Sequence, residues 1–249
     1  MNYQTSIEKM KQMRLTAMAE CYYNSLQANT YKDYTTDQFI AMLVDQEWES
    51  RHNKKIGNLI SAAKFRDGAC LQEVDYTANR SLDRNHFERL STLNFINRNE
   101  NLILTGSTGT GKSYLAQALG HSACMMQFKT LYYNTTRLMD DIRLARTEGT
   151  YMKLLRKIEK SDLLILDDFG LNSFDSIVRT SLMDIVESKY DKSSIIITTQ
   201  IPVKCWHELI GEGTIADAIL DRLVNSSHRI ELTGESMRKH KLKTVQNNL

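Results

Sequence analysis

Proline is nearly absent from this chain: Pro202 is the one among 249 residues. With so few fixed φ angles, long helices can form and rigid loops are few. Cysteine is scarce as well. Cys21, Cys70, Cys124 and Cys205 are scattered, without the spacing of a zinc site or the density of a secreted disulfide scaffold. That predicts no structural metal and a reduced, cytoplasmic setting. The six histidines do not gather near them. No apolar run approaches the roughly 20 residues of a membrane span, and the first residues lack a secretory core, so no membrane partner is expected. An excess of charge is missing too: 32 Lys and Arg against 30 Asp and Glu leave +2, and the whole-chain field says little about partners. What remains is a globular composition, 41% hydrophobic and 25% charged, in a chain long enough for one large or two small domains.

Against that plain background one stretch stands out. Gly106-Ser107-Thr108-Gly109-Thr110-Gly111-Lys112-Ser113 sets two glycines five apart before a lysine and a hydroxyl, the pattern of a phosphate-binding loop. Asn101-Leu-Ile-Leu-Thr105 before it reads as a buried strand, and Tyr114-Leu-Ala-Gln-Ala-Leu119 after it as a helix, the context the motif requires. Glycines let the backbone curl so that successive N–H groups face phosphate oxygens, and the helix start adds its positive dipole end. Lys112 would then reach the β- and γ-phosphates of a nucleotide, and the Ser113 hydroxyl would ligate Mg²⁺. A Gly-rich turn of no function is the bland alternative.

Leu163-Leu-Ile-Leu-Asp167-Asp168 is an apolar strand ending in two carboxylates. Asp167 suits a Mg²⁺-positioning role opposite Ser113, and Asp168 the orientation of an attacking water. Two acids there could equally cap the next helix. Asp168-Phe169-Gly170 also spells a protein-kinase metal motif, but the Val-Ala-Ile-Lys strand and His-Arg-Asp loop of a kinase are missing. Gln200, closing Ile195-Ile-Ile-Thr198-Thr199, would reach the γ-phosphate or the water. Arg222 reads either as a surface ion pair or as an arginine finger offered to a neighbouring subunit.

The chain in order suggests helices first. Thr5-Ser-Ile-Glu8 is a candidate capping box, with Ile7, Met10, Arg14, Leu15 and Met18 at near-helical spacing behind it. Another helix begins near Thr35, with Gln38 three residues on and Phe39, Met42, Leu43 and Trp48 as an apolar stripe, Trp48 being expected in the core. Leu71 to Arg80 reads as a linker, which sets a helical domain at 1–75 and a second domain at 76–249. From residue 101 strands at 101–105, 130–133, 162–166, 194–199 and 228–232 alternate with helices, the mark of an α/β parallel sheet covered on both faces. Residues 134–160 carry seven Lys and Arg against four acids, and the tail from His228 five against two. Such an excess is usually a solvated face, unless the rest of the protein points to nucleic acid.

Four ordered motifs together resemble the IstB family: the phosphate loop through His121, the strand ending at Asp167 and Asp168, Ala216-Asp-Ala-Ile-Leu-Asp-Arg222-Leu-Val, and Gly234-Glu-Ser-Met-Arg238. The likeness covers nearly the full chain, including Arg14-Leu-Thr-Ala-Met-Ala-Glu20 and Asp45-Gln-Glu-Trp-Glu49. Members are ATP-binding helpers of insertion-sequence transposition, similar to the helicase loader DnaC, within the AAA+ ATPases. The resemblance implies a P-loop AAA+ sheet of order 5-1-4-3-2, and a homo-oligomeric ring or spiral with ATP at the seams. It also implies double-stranded DNA and a cognate transposase as partners. By motif position Gly106 to Tyr114 hold ATP·Mg²⁺, Asp167 and Asp168 are the paired acids, and Gln200 is the first sensor. Arg222 is the finger and Arg238 the second sensor. The insertion at 134–160 is where this branch contacts DNA, which implies phosphate contacts by Arg143, Arg146, Lys153, Arg156 and Lys157.

Three departures stand out. Asp168 replaces the usual Glu and Gln200 the usual Asn, while seventeen residues follow Leu232, too few for the helical lid of most AAA+ proteins. The shorter acid suggests slow hydrolysis. Rival readings are a DnaC-like helicase loader, a small-molecule kinase, and a nucleotide switch without turnover.

Overall fold

The computed structural model describes residues 3–211 and 213–237. By packing, the chain divides into two compact units, Met1–Asn58 and Leu59–Leu249. The division falls inside one long helix, whereas the sequence alone sets it at residue 75.

The first unit holds α1 (Tyr3–Gln12), α2 (Thr16–Gln27) and the body of α3 (Thr36–Ala63). The box at Thr5 does not cap a helix, because Thr5 already lies inside α1. The box at Thr35 does: the Thr35 amide donates to Gln38 Oε1 at 2.9 Å and the Gln38 amide to Thr35 Oγ1 at 3.3 Å. The helical spacing that runs through Arg14 is interrupted there, where the backbone turns left-handed at φ 60°. The exposed N-terminus of α2 is then closed from outside. Glu47, buried on α3, accepts the Met18 amide at 3.1 Å and Arg51 Nε at 2.7 Å, while Arg51 also donates to the Arg14 carbonyl at 2.8 Å. Burial pushes the Glu47 carboxyl up, but those donors overcome it and hold it below the usual range. Trp48 is not core: it is 62% exposed.

The second unit runs α4 (Arg84–Ser91), α5 (Asn94–Asn97), β1 (Asn101–Gly106), α6 (Lys112–Met125), β2 (Thr130–Asn134), α7 (Thr135–Thr147), α8 (Tyr151–Glu159), β3 (Leu163–Phe169), α9 (Ser176–Lys189), β4 (Ser194–Thr199), α10 (Trp206–Ile210), α11 (Gly213–Val224) and β5 (Ser227–Leu232). β5 is the last element among the described residues. All strand pairs are parallel, in the order β2-β3-β4-β1-β5, which is the order 5-1-4-3-2 read from the other edge.

Alternation along the strands divides the core between the two faces. Leu102 and Leu104 of β1, Leu163 and Ile165 of β3 and Ile196 of β4 pack with α4, α5 and α6. Ile103, Leu164, Leu166, Ile195 and Ile197 point the other way, onto α7, α9 and α11. At about 1.5–3 kcal/mol for each fully buried aliphatic side chain, these two layers dominate the fold's stability. No helix among the described residues is long and apolar enough to cross a membrane.

Candidate nucleotide site

The phosphate loop leaves the carboxyl end of β1, and its glycines carry backbone that other residues could not. Gly106 has φ 145°, and a Cβ there would collide with the Leu232 carbonyl of β5. Gly111 has φ 94° and stands directly before α6, with the Arg80 guanidinium against the space a Cβ would fill. Between them the Thr110 hydroxyl donates to the Ser107 carbonyl at 2.9 Å, and the Gly109 carbonyl accepts the Met237 amide at 2.8 Å. Lys112, 5% exposed, folds its ammonium onto the Gly106 and Ser107 carbonyls at 2.8 and 2.7 Å. Burial lowers its pKa, while Asp168 and Asp167 act in the opposite direction. A phosphate offers that ammonium a better acceptor than two carbonyls do.

Alternation along β3 sends its two acids to different sides. Asp167 continues the face of Leu163 and Ile165, which α6 covers, and so meets Ser113 in the first turn of α6: Oγ donates to Oδ1 at 2.7 Å. Thr198 also donates to Oδ1, and Tyr132 donates to Oδ2 at 2.6 Å. The carboxylate is 1% exposed and bonded to three hydroxyls. Burial, and the carboxylate that accepts its hydrogen bond, push the Tyr132 phenol well above its ordinary pKa, so it stays protonated and donates. A hydroxyl and a carboxylate oxygen side by side are hard ligands of the kind Mg²⁺ takes when phosphate oxygens and waters complete its shell. The donor set therefore fits the metal that the loop implies.

Asp168 is turned by a break in register between Leu166 and Phe169 and by a left-handed backbone, φ 59°. Such a bulge re-aims a side chain beside a site. Its carboxylate accepts Asn134 Nδ2 at 3.1 Å, at the end of β2, and its amide donates to Thr198 Oγ1 at 3.1 Å. Gln200 stands across the loop, its Oε1 accepting the Thr108 hydroxyl at 2.6 Å. Loop, acids and Gln200 thus come together at one end of the sheet. Tyr114 follows the loop, yet its hydroxyl turns away to Cys70 and Glu73.

Arg222 stands elsewhere. It ends α11 near the amino end of β1, where its carbonyl accepts Asn101 Nδ2 at 3.1 Å. Its Nε lies 2.7 Å from Glu187, its guanidinium 5.5 Å from the Tyr190 ring centre, and a further nitrogen donates to the Ala218 carbonyl. Arg238 lies outside the described residues.

The five residues of the insertion expected to contact DNA divide into two sets. Arg143 is held by Asp175 at 2.8 Å and Asp140 at 2.9 Å. Arg146 bonds Ser181 at 2.9 Å and lies 4.1 Å over the Tyr151 ring. Both tie α7 to its neighbours. Lys153, Arg156 and Lys157 are exposed on α8, Lys157 leaning on the Tyr133 hydroxyl at 3.4 Å.

The segment taken for a linker carries a residue the sequence reading passes over. Arg80, 3% exposed, donates to the Thr110 carbonyl at 3.2 Å and the Asp75 carbonyl at 2.7 Å, and its own carbonyl accepts the Thr233 amide. It fastens the loop to the segment before α4 and to the end of β5. No local motif marks such a residue.

A P-loop at the carboxyl end of β1 in a 5-1-4-3-2 parallel sheet, with an acid-bearing strand two places away, is the AAA+ fold. Residues 8–244 match the family model described as IstB-like ATP binding protein, and the chain belongs to that family. It is 40% identical, over 94% of its length and 96% of the relative's, to an insertion sequence ATP-binding protein of Sinorhizobium fredii. Among solved structures, the DnaC helicase loader superposes with a TM-score of 0.50 at 20% identity, covering 63% of this chain and 94% of that one. The replication initiator DnaA bound to AMPPCP and single-stranded DNA superposes with a TM-score of 0.57 at 18% identity, covering 74% and 57%.

Proposed function

We propose that this chain is a Mg²⁺-dependent ATPase that assembles on duplex DNA with ATP at the seams between subunits, deforms the duplex, and recruits or stimulates the transposase of its insertion sequence. The observation that carries this reading is the separation of Arg222 from the phosphate loop. The two lie at opposite ends of β1, whose six residues extend about 20 Å. Arg222 cannot reach its own nucleotide. An arginine finger at that position serves a neighbour, and an ATP site completed by a neighbour makes assembly depend on ATP.

In one subunit the loop amides and Lys112 bind the phosphates. Ser113 and Asp167 would hold Mg²⁺, which would shield the charge that builds on the phosphates. Asp168 orients the attacking water, with Gln200 beside it. In the next subunit Arg222 exchanges Glu187 for the γ-phosphate. DNA is met by the exposed cations of α8, with Lys153, Arg156 and Lys157 as the first contacts and Arg143 and Arg146 holding the insertion in place. The names of the relatives support the transposition setting, and DnaA with its bound AMPPCP and DNA supports nucleotide and nucleic acid on one such fold.

Filter binding of duplex DNA with and without ATP tests the reading. Duplex should bind at least tenfold more tightly with ATP, and Lys153→Ala with Arg156→Ala should reduce the salt slope by about 2. Equal binding with and without nucleotide would sink the coupling. The likeness to DnaC favours a second reading, a helicase loader. Single-stranded DNA outcompeting duplex would choose it.

A further inference from the structure

Two successive carbonyls of the phosphate loop are held from outside it. The Gly109 carbonyl accepts the Met237 amide at 2.8 Å, and the Thr110 carbonyl accepts Arg80 Nη1 at 3.2 Å. Among the described residues every peptide bond is trans, and a trans peptide points its N–H opposite to its C=O. Anchoring these carbonyls therefore turns the Thr110 and Gly111 amides away from both anchors. Consecutive amides turned to one side are what a phosphate nest is made of.

The anchor at Thr110 carries a charge. Arg80 is buried, and a guanidinium stays protonated at any working pH. Its two acceptors, the carbonyls of Thr110 and Asp75, are neutral. The Asp75 carboxylate turns instead to the Thr77 hydroxyl and amide at 2.7 and 2.8 Å, and to the Ala78 amide at 3.2 Å. Arg80 Nε is buried and has no hydrogen-bond partner among the described residues. A cation out of water with neutral acceptors is costly, and an anion brought close to it offsets that cost. Fastening alone would not require it, since a neutral amide can hold a carbonyl equally well.

We propose that Arg80 is a positioning residue for the nucleotide's phosphates: from behind the Thr110–Gly111 peptide it fixes the Gly111 amide toward them and strengthens it as a donor. A cation on the carbonyl oxygen draws electron density across the peptide, so the N–H on the far side becomes more polar. Arg80 acts through the backbone and adds a fixed positive charge behind it, in place before the nucleotide arrives. The absence of a side chain at Gly111 admits the guanidinium there. The Arg80 carbonyl, which accepts the Thr233 amide at 3.2 Å, keeps the residue seated. The inference rests on ATP binding at the loop and on no part of the assembly on DNA.

Equilibrium titration of the full chain and two variants with Mg·ATP tests it, after urea midpoints without nucleotide have shown that each variant folds. Arg80→Gln keeps a neutral donor for the Thr110 carbonyl and should weaken ATP binding at least about tenfold. Arg80→Lys keeps the charge and should stay within about threefold of the unaltered chain. The nitrogen resonance of the Gly111 amide should move in Arg80→Gln and return toward its original place in Arg80→Lys. ATP bound as tightly by Arg80→Gln as by the unaltered chain would overturn the proposal. Equal losses in the two variants would do the same, since they mark a fastener rather than a charge. If Arg80→Gln does not fold, a folded Arg80→Lys that loses about tenfold still overturns it. Duplex binding that ignores ATP would sink the assembly on DNA and leave this result standing.

Discussion

The two ends of the parallel sheet are built for different work. At the carboxyl end Thr108 of the phosphate loop donates to Gln200, Ser113 donates to Asp167, and Asp168 accepts Asn134 from the end of β2. At the amino end Arg222 is paired with Glu187, and a buried ammonium, Lys189, donates to the Ser161 carbonyl and to its hydroxyl at 2.6 Å. The first end gathers the residues proposed to grip ATP·Mg²⁺, and its cations Lys112 and Arg80 are engaged with backbone carbonyls. The second carries a guanidinium held away from the loop of its own chain. In the proposed assembly, that separation divides the catalytic apparatus between two subunits.

Breaking either end should give distinct losses. Lys112→Ala should abolish ATP binding, read by equilibrium titration of a fluorescent ATP. Arg222→Ala should leave that binding within about twofold and lower turnover by roughly a thousandfold. Equal damage to binding by both would erase the distinction.

Lys189 offers a test confined to the amino end. Burial lowers its pKa to about 8, with Asp162 and Glu159 opposing the shift. The unfolded chain keeps the proton to about 10.4. Between those values the folded protein binds fewer protons than the unfolded one, so stability should rise with pH through that window, by up to about 3 kcal/mol, and the gain is lost as pH falls through 8. Lys189→Met should flatten that rise in urea midpoints measured from pH 7 to 10.5, with ATP binding unchanged. A rise that persists in the variant would contradict the assignment.

The smallest effect belongs to Tyr132, which bonds the oxygen of Asp167 that Ser113 does not. Tyr132→Phe should weaken Mg²⁺-dependent ATP binding several-fold, about 1 kcal/mol, and leave metal-free binding alone. Loss of both would mean that the phenol supports the fold rather than the metal ligand.

How much of this was legible depended on how local its cause was. The strands from residue 101 onward follow from period-two alternation and from loop chemistry contained in eight residues, and their ends fall within a few residues of expectation. The convergence of Ser113 with Asp167 was legible for the same reason: a parity count along β3 puts that acid on the face α6 covers. Contacts made across long stretches of sequence were not. Glu47 closes α2 from 29 residues away, and Arg80 fastens a loop 30 residues on; neither leaves a pattern in its neighbours. Trp48 misled because an aromatic on an amphipathic helix reads as core whether the surface it seeks is in its own chain or another. Arg143 and Arg146 look identical in sequence to Arg156, and only their packing against Asp175, Ser181 and Tyr151 separates structural cations from exposed ones.

Mixing two inactive variants tests the central claim most directly. Arg222→Ala retains the loop and acids, and Asp168→Asn retains the finger, so seams in a mixture can pair an intact cradle with an intact guanidinium. The account predicts that ATP turnover on duplex DNA reappears on mixing, toward about a quarter of the unaltered rate at equal proportions. Turnover no higher than the sum of the separate variants would contradict it.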